Sequence, residues 1–129
     1  MALLSTGGGW PHAIPVSTIV RASSHRVLFA LARRRESLSR LRSDPRCALT
    51  ILAGGDVACS AHGRARVVED PMAVAERVAA IALDVEVIQD HTQPRFAVDA
   101  GVQWRWVEED ARERDRVIRA ALAALAGLG

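Results

Sequence analysis

Short apolar runs broken by glycine, serine and proline fill the amino-terminal two-thirds of the chain, and one long amphipathic stretch closes it. Ala2 to Ser5 is apolar and ends at Thr6-Gly7-Gly8-Gly9, a turn signal. After Trp10-Pro11, His12 to Val20 is rich in β-branched residues and predicts a strand. Ala22 to His25 predicts a turn, and Val27 to Leu31 predicts the next strand. Leu38 and Leu41, three apart within Glu36 to Ser43, predict a short amphipathic helix.

Arg46 to Leu52 and Val57 to Val68 predict a hairpin around a two-residue Gly54-Gly55 turn. That register places Thr50 opposite Cys59 and Cys47 opposite His62, so the cysteines are not cross-strand partners. A bend is expected at Gly63, since a glycine inside a strand often marks a bulge. Asp70-Pro71 predicts a helical start whose end merges with the apolar run Val78 to Ile88. Pattern leaves Val78 to Leu83 open between helix and strand, whereas Asp84 to Gln89 alternates as a strand does. Phe96 to Val98 and Val102 to Trp106 are weaker strand candidates. Glu108 to Leu125 predicts a helix with an acidic first turn suited to the helix dipole. Glu108–Arg112, Asp110–Arg114 and Asp115–Arg119 are spaced for ion pairs, and Val117, Ile118, Ala121, Leu122 and Leu125 form its buried stripe.

Several short strands with small helices and one terminal helix predict a mainly β (α+β) fold, an antiparallel barrel with peripheral helices. A length of 129 residues, with no repeat or linker, suits one domain over residues 1–129. A net charge of +2 and the lack of a basic face with interleaved aromatics exclude nucleic acid as the expected partner. No apolar run is long enough to span a bilayer, and the first residues lack a signal-peptide pattern, so the expected location is cytoplasmic. Cys47 and Cys59 are expected to be small buried hydrophobes rather than a disulfide.

All 17 basic residues are arginine. Arg33, Arg34 and Arg35 stand together before the short helix, where the dipole disfavours positive charge. A bound anion would reconcile the two, because helix amino termini and guanidinium groups both bind phosphate; a solvated basic turn is the plainer alternative.

Four stretches together resemble the pyridoxamine 5′-phosphate oxidase-like, flavin-binding split-barrel family. They are Leu3 to Pro11 followed by HAIPVS, VLFALARRRESLSRLRSDP, the hairpin ALTIL…DVACSAHGRARVVEDP, and DVEVIQDH. The resemblance implies a six-stranded antiparallel split β-barrel, usually a homodimer with cofactor sites across the subunit interface. Members bind FMN, in some branches a deazaflavin, and in a few cases haem. It further implies that His12, Ala13, Ile14, Pro15 and Val16 lie along the flavin ring. Arg33, Arg34 and Ser37, with Arg35 in reserve, are the candidates for the cofactor phosphate. Many flavin-binding members carry a lysine where Ser37 stands.

The implied activity is flavin- or deazaflavin-dependent hydride transfer to or from a small-molecule substrate. The alternative is a non-catalytic dimeric cofactor- or haem-binding protein on the same fold, with His62 the first candidate for haem. No catalytic acid–base pair stands out in the sequence, as expected where a cofactor carries the chemistry. His12, His25, His62 and His91 share no metal-ligand spacing, so no metal is expected. Ser60 and His62 lack a third partner for nucleophilic catalysis. Gly7-Gly8-Gly9 opens no helix and is no dinucleotide fingerprint. Trp104 and Trp106, two apart, are expected on one side of a strand, packing in the core or a dimer, or walling a flavin.

Overall fold

The computed structural model describes residues 1–128. Its strands are β1 (Ala2–Thr6), β2 (His12–Val16), β3 (Ile19–Ser23), β4 (Arg26–Ala32), β5 (Arg46–Ala53), β6 (Val57–Glu69) and β7 (Val78–Asp90). Helix α1 (Glu36–Ser43) joins β4 to β5, and α2 (Glu109–Leu128) ends the chain. The strands form one antiparallel sheet in the order β2-β1-β5-β6-β7-β4-β3. Its two outermost strands, β2 and β3, are joined by Ser17-Thr18 alone, so the sheet curls into a split barrel. The sheet has seven strands rather than six because the predicted strand His12 to Val20 breaks at that link and passes from one edge to the other.

Two apolar layers hold the sheet. Leu4, Phe29, Leu31, Leu49, Ile81 and Leu83 fill the barrel, where Leu38 and Leu41 of α1 join them. Leu28, Met72, Ala80 and Ala82 pack on the other face against Ile118 and Leu122 of α2. Residues Ala79 to Leu83 are therefore buried on both faces, and that is why their pattern did not separate strand from helix. Ile118, Ala121, Leu122 and Leu125 of the predicted α2 stripe pack in this layer, and half-buried Val117 lies outside it.

The hairpin register differs from the expected one by one residue. Ala53 pairs Val57 around a three-residue loop, with Gly55 and Asp56 at φ 79° and 59°. Aspartate tolerates the left-handed region, and Asp56 is held there by exchange with Val98: its N–H donates to the Val98 carbonyl, and its carboxylate accepts the Val98 N–H. Cys47 consequently faces Gly63 and Cys59 faces Ile51, and both cysteines are free. The bulge expected at Gly63 is present between His62 and Gly63.

No helix forms between Pro71 and β7. Met72 and Ala75 make an isolated bridge, and the Met72 N–H donates to the Val78 carbonyl, turning the chain back into β7. Phe96 to Val98 and Val102 to Trp106 are not strands. Their segment folds over the β5–β6 hairpin, with Gly54 close to the Asp99 carbonyl and Gly101 against Leu52. Trp104 and Trp106 make a T-shaped contact at 5.3 Å between ring centres, half-exposed.

Candidate functional site

The residues nominated from sequence separate into two neighbouring places. At the first, β2 meets the start of α1. His12 Nε2 lies 3.2 Å from Ser37 Oγ, within hydrogen-bond reach, and Ser37 is fully buried. The other ring nitrogen, Nδ1, is 3.4 Å from the Glu36 carboxylate. Glu36 also pairs with Arg40, whose guanidinium donates to the carbonyls of Gly7 and Trp10 and so fixes the glycine turn against α1. Arg40 Nε is buried without a partner among the described residues. Along β2, Ile14 and Val16 turn toward the core while Ala13 and Pro15 are exposed.

The second place holds the arginine run. Arg33 donates through Nε to Asp70 at 2.5 Å, and Arg42 from α1 binds the other oxygen of the same carboxylate. This clamp ties the β4–α1 turn to the turn before β7, where the Arg33 N–H also donates to the Arg77 carbonyl. Arg34 and Arg35 are exposed, and neither side chain has a partner among the described residues. Arg35 stands at the N-cap of α1 with extended backbone and supplies no side-chain cap. The head of α1 therefore has no side-chain cap and stands beside two unpaired guanidinium groups, while the Leu38 N–H donates to the Arg35 carbonyl. Such a donor set fits a phosphate, with Glu36 as the opposing charge.

Residues 1–105 match the Pyridoxamine 5′-phosphate oxidase family. The chain belongs to that family. The match spans the whole barrel and stops short of α2. No curated protein matches the chain. Among solved structures, an FAD-binding protein of Mesorhizobium loti is 13% identical, with 67% of this chain and 81% of that one covered and a TM-score of 0.57. An F420 reductase is 12% identical, covering 68% and 87%, with a TM-score of 0.59. An NADH:FAD oxidoreductase of Streptomyces globisporus is 13% identical, covering 69% and 74%, with a TM-score of 0.55. At these identities the likeness is one of fold.

Against this family background, Ser37 is joined to His12 instead of standing as an open donor. His62 is exposed beside the β6 bulge, paired across the sheet with Ala48 and Val87. Three contributors were not visible in the sequence. Glu36 stands only as the first residue of the predicted short helix, and Asp70 and Arg77 lie in the segment expected to be helical. No local signal marks their meeting, since each is brought in by strands distant in sequence. No helix of the described residues is long and apolar enough to cross a membrane.

Proposed function

We propose that this chain is a flavin-dependent oxidoreductase that binds FMN, or alternatively a deazaflavin, and acts on a small-molecule substrate as a homodimer. One observation carries the proposal. His12 on β2 meets Ser37 on α1, so the segment assigned to the ring and the segment assigned to the phosphate adjoin. In this reading His12 to Val16 line the ring, and Arg34 and Arg35 take the phosphate at the head of α1. Ser37 sets the position of His12, and Arg33, clamped by Asp70, holds the turn. The bound flavin supplies the hydride chemistry, while the chain binds and orients it. The relatives named for FAD and F420 support a cofactor of this type. Exposed Leu3, Leu52, Val87 and Ile88 offer apolar area to a second copy, across which the site would be completed.

The test is direct. The purified protein is examined for visible absorbance, titrated separately with FMN and with the deazaflavin, and sized in solution. Saturable micromolar binding by a dimer is expected, weakened by Arg34→Ala with Arg35→Ala. A colourless protein that binds neither cofactor sinks the proposal.

The Glu36 carboxylate favours a second reading, a non-catalytic dimeric cofactor- or haem-binding protein on the same fold. A carboxylate beside the candidate phosphate site repels that phosphate. Haem absorbance lost in His62→Ala would support this reading; flavin reduction during turnover would exclude it.

A further inference from the structure

An open basin of about 940 Å³ lies between the β4–α1 turn, the turn preceding β7 and helix α2. Arg34, Arg77 and Arg114 reach it from these three segments, and Val74, Ala75 and Val78 supply an apolar wall. We propose that this basin binds a small molecule carrying two or more phosphate or carboxylate groups.

Nine of the 17 arginines form ion pairs with carboxylates. The side chains of Arg34, Arg77 and Arg114 have no hydrogen-bond or ion-pair partner among the described residues, yet they border one cavity. Arg114 is spaced for an ion pair with Asp110 on its own helix, and that pair does not form. Glu76 also borders the basin and pairs with none of them, while Arg33 at the rim is paired with Asp70, which it shares with Arg42. The local balance is thus three free cations against one carboxylate. Like charges gathered on one surface repel, and a multivalent anion relieves that repulsion through charge-assisted hydrogen bonds.

Size and lining narrow the ligand class. The volume is that of a small-molecule site and exceeds what a lone phosphate fills. Valine and alanine beside guanidinium groups suit an anion with an apolar portion. His12 and Ser37 do not border the basin, and Arg114 lies beyond the residues matched to the family. The other lining residues lie within the matched region, and Arg34 is shared with the phosphate position proposed above, so Arg77 and Arg114 are the residues that distinguish the basin from that position.

Calorimetric titration of the full chain, without flavin, tests the proposal. The probes are pyrophosphate and propane-1,2,3-tricarboxylate, with inorganic phosphate and acetate as single-group controls. Either multivalent probe is expected to bind saturably and at least about tenfold more tightly than its control, the stronger one identifying the anionic group. Arg77→Ala and Arg114→Ala should each weaken that binding about tenfold, the loss of one charge-assisted contact. Arg105→Ala with Arg112→Ala, two arginines outside the basin whose side chains have no hydrogen-bond or ion-pair partner among the described residues, should leave it unchanged. The proposal is overturned if neither probe saturates, if phosphate binds as well as pyrophosphate and acetate as well as the tricarboxylate, or if the outside pair weakens binding equally. Neither basin side chain makes a hydrogen bond or ion pair among the described residues, and unchanged thermal unfolding of each variant verifies its fold.

Discussion

Thr18 Oγ1 donates a hydrogen bond of 2.5 Å to the Asp115 carboxylate, tying the link between the two edge strands to the final helix. Arg119 completes the tie: it pairs with Asp115 at 2.8 Å and donates to the carbonyls of Ser17 and Ile19. Thr18 is buried, so its hydroxyl has no solvent alternative. Thr18→Val keeps the shape and removes the donor. It is expected to cost about 1–2 kcal/mol, read as a lower urea midpoint with an unchanged slope; an unchanged midpoint would mean the contact contributes nothing.

Gly63 cannot carry a side chain. A Cβ there would stand 2.0 Å from the Asp84 carbonyl, a backbone atom of the neighbouring strand. Gly63→Ala must push β6 and β7 apart at the bulge, a change expected to cost about 3 kcal/mol. Denaturant unfolding or soluble yield reports it, and near-normal stability would show that the strands give way more easily than their hydrogen bonding implies.

Burial in the barrel pushes the Cys47 thiol up to about 11. The neutral thiol is the folded form, and the unfolded chain loses that proton at lower pH. Stability should thus be intact below about pH 9 and fall as pH rises toward about 11. In the native protein at pH 8, iodoacetamide should spare Cys47, with mass spectrometry as the readout. Rapid native modification of Cys47 would contradict its burial.

Legibility followed the locality of each signal. The hairpin, α1, the stripe of α2 and the Gly63 bulge each rest on residues close in sequence, and each was predicted. The hairpin register failed by one residue because Asp56 is fixed by Val98, a partner forty-two positions away. The strand Val78–Asp90 was half-legible because its first residues are covered on both sides. At the candidate site, the nearness of His12 to the start of α1 followed from the family resemblance. That Arg33 is held by Asp70, and that Glu36 lies beside His12, depends on side chains converging in space, which a linear pattern does not encode.

Glu36 offers a sharp probe of the proposed phosphate position. Glu36→Gln removes a carboxylate adjacent to Ser37 and keeps its size. If the FMN phosphate sits at the head of α1, affinity should rise about two- to fivefold, the scale of one exposed charge interaction. Fluorescence titration measures it. An unchanged or lower affinity would move the phosphate elsewhere.

The two-residue passage from β2 to β3 also bears on the open margins of the sheet. Open sheets expose unpaired backbone at both margins, where another molecule can add a strand. Here Val16 and Ile19 cannot separate by more than about 11 Å of extended chain, so the two margins converge at that end. Pro15, on the outer strand, removes one more donor from the margin. A single cut between Ser17 and Thr18 would release both margins at once, turning a self-protecting sheet into a template for aggregation.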